Sequence, residues 1–328
     1  TIASANDPPV ITLATPSLTY LENAAPLTVD ATALLSDDSA NFDGGVLTVQ
    51  FSANGREEDR LSIRHQGLSA GQIGLSGTSV LYQNGVIGSF AGGAGTTPLV
   101  VTMNSSATPL AAQALLRNIT YANVSDNPLR TPRTVQVTVS DGTAPPSLPK
   151  TRTINITPVN DIPVITLPGG SVSYTENDPP TILEEGATLS DVDSPDFNAG
   201  RLSADFILNG HPDDRLGLRN QGTDAGQVGL AGTKVTYEGI NIGTVNGGTG
   251  LSPLVVLFNG AGTPAMAQAL ARNITYSNVS DFITVSPRTV RMAVNDGDGG
   301  VSVAVTKTIH ITRANDPPIV TLASTPLV

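Results

Sequence analysis

Short runs of alternating apolar and polar residues recur along this chain. Arg133–Gly142, RTVQVTVSDG, alternates and stops at a glycine, and Thr151–Val159, TRTINITPV, alternates and stops at a proline. A period of two bounded by turn residues is the signal of a half-buried strand. Many such strands punctuated by Gly and Pro predict an all-β fold, an antiparallel Greek-key sandwich. One segment departs from the pattern. ATPLAAQALLRNI, Ala107–Ile119, predicts a short inserted helix with Thr108 as N-cap and Pro109 at the first helical position. Leu115 and Ile119 then share its inner face, and Thr263, Pro264, Leu270 and Ile274 repeat the arrangement. The helix is expected to plug one edge or end of the sandwich.

The chain is written twice. RNITYANVSD (Arg117–Asp126) returns as RNITYSNVSD (Arg272–Asp281), and TPRTVQVTVSDG (Thr131–Gly142) returns as SPRTVRMAVNDG (Ser286–Gly297). A repeat this long is a whole domain rather than a solenoid turn. The phrases SANDPPVI, TPVNDIPVI and RANDPPIV mark the joints, with Asp7, Asp161 and Asp316 lying 154 and then 155 residues apart. The expected domains are 8–159 and 162–314, with 315–328 beginning a third repeat or a linker. The chain starts and stops inside the repeated phrase, so it is expected to be a piece of a longer protein. ENDPP (Glu176–Pro180) comes too soon after Asp161 for another joint and is expected to be a turn.

Composition narrows the partners. The 328 residues carry a net charge of −11, which disfavours nucleic acid and anionic membranes and favours a cation such as a metal ion. Cysteine is absent, so neither a disulfide scaffold nor a thiolate metal site is available. No apolar run approaches the ~18–20 residues that span a bilayer.

The acids keep nearly constant distances from the joints. After each comes a YxEN, with Glu22 and Glu176, and then an acidic loop, LSDDSANFDGG (Leu35–Gly45) and LSDVDSPDFNAG (Leu189–Gly200). NVSD follows, ending in Asp126 or Asp281, and a late DG turn holds Asp141 or Asp296. Together with the proline-bracketed Asn-Asp, these features resemble the calcium motifs of cadherin-like repeats, closest to those of large bacterial surface adhesins. The resemblance covers both domains. It implies calcium at the joint, held by Glu22 and Asp126 of the first domain, Asn160 and Asp161 of the linker, and Asp191, Asp193 and Asp296 of the second. Outer half-sites would comprise Asp7, Asp37, Asp38 and Asp141 at one end, and Glu176, Asp281, Asn315 and Asp316 at the other.

Elementary electrostatics agrees with that implication. Calcium takes 6–8 hard oxygen ligands. Without a cation, close carboxylate pairs repel by about 1–4 kcal/mol at ~4 Å. The pattern also departs from the family's. Pro158 and Arg313 stand where an acid two residues before the linker Asn is usual, and Asp37-Asp38 lacks the spacer of Asp191-Val192-Asp193. One to three ions are therefore expected at the joint, and weak binding at the outer half-sites.

Other chemistry fares poorly. GLSAG (Gly67–Gly71) matches a serine-hydrolase elbow, but no helix signal follows and the second copy reads GTDAG. None of His65, His211 and His310 recurs in the repeat, so an enzyme is not expected. DDRL (Asp213–Leu216) and EDRL (Glu58–Leu61) are expected to form strand-start salt bridges with Arg215 and Arg60 rather than ligand pairs. Carbohydrate binding is the rival reading. Its weakness is the lack of tryptophan, with Tyr82, Tyr121, Tyr237 and Tyr276 expected in the core. The resulting expectation is a calcium-rigidified extender module of an extracellular, surface-attached adhesin. Its partners would be neighbouring repeats of the same chain, and homophilic contacts or a glycan form the alternative.

Overall fold

The computed structural model describes residues 6–14, 17–318 and 320. It divides into two compact units, Thr1–Val159 and Asn160–Val328. No helix among the described residues is long and apolar enough to cross a membrane.

The strands of the first unit open with β1 Val10–Thr12, β2 Ser17–Leu21, β3 Leu27–Thr28, β4 Leu34–Ser36, β5 Val46–Ala53 and β6 Asp59–Ile63. Then come β7 Ile73–Ser76, β8 Ser79–Tyr82, β9 Gly85–Ala91 and β10 Leu99–Met103. Helix α1, Pro109–Leu116, precedes β11 Ile119–Asn123, β12 Arg133–Ser140 and β13 Lys150–Thr157. An eight-stranded sheet runs β2-β13-β12-β5-β10-β9-β8-β7, accompanied by a three-stranded sheet β3-β11-β6 and the pair β1-β4. The second unit repeats all three sheets in the same order.

Alternation becomes burial as expected. Val135, Val137 and Val139 of β12 are buried while the residues between them are half-exposed. Tyr20 and Tyr121 meet edge to face at 5.3 Å in the core, as Tyr174 and Tyr276 do at 5.0 Å in the second unit. Tyr82 and Tyr237 differ from expectation, being only half-buried. The reason is their place at the ends of strands whose core-facing neighbours, Val80 and Val235, already fill the interior.

One ladder is parallel, which the antiparallel expectation did not include. β13 pairs with β2 from Thr153↔Ser17 to Thr157↔Leu21. A parallel pair needs a long crossover, and here nearly the whole unit lies between the two strands. The consequence is positional: both strands end at the same pole, where the Glu22 N–H donates to the Thr157 carbonyl at 3.0 Å.

The helix begins as expected, with the Thr108 hydroxyl accepting from the Ala111 N–H at 3.3 Å. Leu115 and Ile119 are both fully buried, but Ile119 already starts β11. The helix is stitched to the β4 edge: Gln113 Oε1 accepts from Leu35 N, and Arg117 Nε donates to the Ala33 carbonyl. The segments Gly92–Gly95 (GGAG) and Gly247–Gly250 (GGTG) are turns of close approach. A Cβ on Gly93 or Gly248 would stand 2.1 Å from the carbonyl oxygen of Leu61 or Leu216, and both φ angles are positive.

The strand-start acids correct the expectation. Arg60 and Arg215 donate to backbone carbonyls instead of neighbouring carboxylates. Asp59 is fully buried and pairs with Arg133 at 2.9 Å, and Asp214 with Arg288 at 3.1 Å. Tyr121 and Asn123 donate to the first carboxylate at 2.6 and 2.7 Å, and Tyr276 and Asn278 repeat those distances on the second. Burial and the adjoining carboxylate push both phenol groups well above their ordinary pKa. A buried charge must be paired and hydrogen-bonded, and a local motif could not name a partner 74 residues away.

Candidate functional site

Within each unit the acids gather at opposite poles, because β12 and β13 run antiparallel and place their ends apart. Asp141 and Asp296 follow the strand that ends where the chain enters. Glu22 and Glu176 follow the strand that ends where it leaves.

At the entry pole of the second unit, Asn160, Asp161, Asp191, Asp193 and Asp296 come together. Asn160 Nδ2 donates to Asp296 Oδ2 and to the Asp161 carbonyl, each at 2.8 Å. The Asp161 N–H donates to both oxygens of Asp193 at 3.3 Å, and Asp191 Oδ1 accepts from the N–H groups of Asp193 and Ser194. Asp296 Oδ1 is held by the N–H groups of Asp298, Gly299 and Gly300 at 2.8–3.0 Å. A Cβ at 300 would stand 2.7 Å from the Asp161 backbone carbonyl oxygen, so glycine lets the two segments approach. Burial raises the Asp191 carboxyl above its ordinary pKa, the Ser194 N–H opposes, and the adjacent Asp193 carboxylate raises it again.

The entry pole of the first unit has the same plan with different detail. Asn6 Nδ2 donates to Asp141 Oδ2 and to the Thr143 hydroxyl. Ser39 donates to Asp141 at 3.0 Å, Asp37 Oδ1 accepts from the Ser39 N–H, and Asp7 N–H donates to Asp38 at 3.3 Å. Burial pushes the Asp141 carboxyl up, but donation from Thr143 N–H, Asn6, Ala144 N–H and Ser39 outweighs it and leaves it well below the usual carboxylate range. Asn6, Ser39, Thr143 and Ser194 are members that sequence reasoning missed. Asn6 lies 154 residues before Asn160, so the repeat offset could have found it.

The exit poles are sparser. Glu22 is buried and Oε2 accepts from the Val159 N–H at 2.7 Å, while Asp126 is exposed in the turn after β11. Glu176 Oε1 accepts from the Ile283 N–H at 2.8 Å, Asp281 is exposed, and Asn177 donates weakly to Asp316 at 3.5 Å. Asn315 is exposed and donates to the Asp316 carbonyl at 3.4 Å. Arg313 introduces a cation here. Its Nε donates to the Ile283 carbonyl and its guanidinium lies 3.8 Å from the Phe282 ring centre.

The donor chemistry at the entry poles fits a hard cation, being carboxylate, amide and hydroxyl oxygens throughout. Asp37 Oδ2, Asp191 Oδ2 and Ser194 Oγ are buried without a hydrogen-bond partner among the described residues. Such atoms are costly unless something satisfies them. Against this, no three His, Cys, Asp or Glu side chains among the described residues stand in metal-ligating geometry. Any ion would have to draw its ligands together.

No family model matches this chain, and no curated protein does either. Solved structures with a similar course include the protocadherin gamma B2 extracellular cadherin domains 3–6, at 14% identity and TM-score 0.29 over 95% of this chain and 52% of that one. The chain thus spans about half the length of that structure. The collagen adhesin CNA of S. aureus aligns at 5% identity and TM-score 0.22, covering 94% and 93% of the two chains. The C-terminal domain of the Streptococcus pyogenes antigen I/II-family protein AspA aligns at 10% identity and TM-score 0.23, covering 92% and 99%. These scores are too low to carry an argument about function.

Proposed function

We propose that this chain is a pair of tandem structural modules from an extracellular surface adhesin, with calcium bound at the entry poles and stiffening the passage from one unit to the next. The observation that supports this reading most directly is the buried, unpartnered Asp191 Oδ2 beside Asp193 and the Asn160-Asp161 phrase. Asp191, Asp193, Asp161 and Asp296 would hold the ion, with Asn160 adding its amide oxygen after turning. Calcium would supply charge neutralisation and cross-linking, not catalysis. The sequence resemblance to cadherin-like adhesin repeats points the same way.

Affinity should be modest, on the order of 10⁻⁴ to 10⁻³ M, as is usual for extracellular calcium modules. At millimolar calcium each site then adds only about 1 kcal/mol to stability by mass action. Calorimetric calcium titration tests binding, and small-angle scattering with calcium and with chelator tests stiffening. Asp191→Asn should remove most of the binding heat from the second unit, and Asp161→Ala should abolish the calcium effect on the scattering curve. A wild type that shows neither heat nor a change in scattering defeats the proposal.

A further inference from the structure

The long segment between β6 and β11 builds something the calcium reading does not use. Each unit carries an open cleft against its helix, of ≈ 320 Å³ in the first unit and ≈ 340 Å³ in the second. Arg64, Gln66, Tyr82, Gln113, Arg117 and Asn118 line the first. Arg219, Gln221, Tyr237, Gln268, Arg272 and Asn273 line the second, each 155 residues later.

Hydrogen bonding spends most of the acceptor capacity of this cleft's amides and leaves donors on both glutamines and both arginines. Gln66 Oε1 accepts from Ile73 N and Asn118 Nδ2, Gln113 Oε1 from Leu35 N, and Asn118 Oδ1 from Arg64 Nε. Backbone N–H groups can only donate, so they fix which end of each glutamine is oxygen. Arg117 Nε is anchored on the Ala33 carbonyl. Among the described residues, the Nε2 groups of Gln66 and Gln113 and the Nη groups of Arg64 and Arg117 make no hydrogen bond or ion pair. The second unit spends its acceptors in the same way, on Val228 N, Leu189 N and Arg219 Nε. Two anchored guanidinium groups flanked by amide N–H donors are a receptor for a carboxylate.

We propose that the cleft of the first unit binds the carboxylate of an acidic saccharide, independently of calcium. A saccharide suits it better than an acidic peptide. Sugar hydroxyls can turn to accept from the spare Nε2 groups, whereas peptide N–H groups need acceptors, and here Gln66 Oε1 already takes two donors while Gln113 Oε1 and Asn118 Oδ1 keep one lone pair each. The half-buried Tyr82 supplies an apolar ring at the rim. The net charge of −11 disfavours a dense polyanion, so a short oligosaccharide is the ligand.

The second cleft is blunted by its own acids. Glu185 lies on its lining, 3.9 Å from Arg219 Nη1, where the first cleft has Ala31. Glu238 also accepts from the N–H of the lining residue Gly226. The two clefts are therefore unequal, and the first is the site.

Isothermal titration with trigalacturonic acid tests this, in chelator because calcium cross-links uronates. One site per chain is expected, and the methyl-esterified trisaccharide should bind about tenfold more weakly or worse. Arg64→Gln and Arg117→Gln should each reproduce that loss, and Glu185→Ala should add a second site. Arg64 is exposed, so its variant carries the test should Arg117→Gln fail to fold. Equal binding of the ester, or wild-type binding by Arg64→Gln, overturns the proposal. Tighter binding of hexaglutamate than of the trisaccharide would also overturn it, making the cleft a peptide site.

Discussion

The two units solve one problem with opposite lengths of side chain. In the first, the short carboxylate Asp30 meets the long Arg152 at 2.7 Å. In the second, the longer Glu184 meets the shorter Lys307 at 2.6 Å. All four residues are buried. Each carboxylate is also fixed by backbone donors, Ala14 and Thr32 on Asp30, Gly169 and Gly186 on Glu184. What the fold requires there is the span of the pair rather than either residue type. The entry poles differ in the same spirit. The Ser39 hydroxyl and the N–H groups of Thr143 and Ala144 satisfy Asp141, whereas three successive N–H groups satisfy Asp296.

Removing half of a buried pair should have the largest effect. Asp59→Ala and Asp214→Ala strand an arginine that is fully buried, and each should cost its own unit about 3–5 kcal/mol. Differential scanning calorimetry should show one transition moving while the other stays. Lys307→Ala should cost the second unit a similar amount, leaving Glu184 charged and buried.

The length argument can be broken directly. Asp30→Glu and Arg152→Lys alone should each destabilise the first unit by about 1–3 kcal/mol, through overpacking or an unsatisfied charge. Combined, they install the pair of the second unit and should recover more than half of the summed loss. A double variant no better than the sum of the singles would mean that the local backbone, not the span, selects the residues.

Acid sharpens the comparison less strongly. Burial raises the Asp30 carboxyl, but the Ala14 and Thr32 donors and Arg152 outweigh it, so its pKa is lowered. The Lys307 bond, against burial, lowers that of Glu184. A carboxylate with a depressed folded pKa contributes stability that is complete above its unfolded value, about 4. That contribution is lost as pH falls through the folded value. Both units should lose stability from about pH 4 downward. Replacing Glu184 and Lys307 together by Leu and Met should flatten that dependence for the second unit alone. The smallest effect belongs to Asp191→Asn, which removes a charge that burial and Asp193 disfavour. Without calcium it should raise the thermal midpoint of the second unit slightly. With calcium that advantage should shrink, by thermal unfolding at each condition.

Much of the architecture was legible because it is written in local periods. The helix start at Thr108-Pro109 follows from the capping geometry of those two residues alone. The acids of the entry poles were legible through the repeat, since Asp161, Asp191, Asp193 and Asp296 keep nearly constant distances from one phrase. Asp59 was misassigned because its adjacent arginine is the obvious partner in sequence, while the meeting of two sheets delivers a different one. Gln66 and Gln113 were invisible as site residues, because an amide's role depends on which of its ends the backbone has already occupied.

The sequence by itself determined the strand pattern, the duplication, the inserted helix and the acid-rich joints, since each is a property of neighbours along the chain. Only the tertiary structure decided which charge meets which, and which side-chain donors remain unspent beside the helix. Those choices depend on how the three-stranded sheet meets the eight-stranded one, which brings Asp59 to Arg133 across 74 residues, and on strand pairing, which brings Arg64 to Asn118 across 54. A period of two says which face a residue takes, and nothing about who waits on that face.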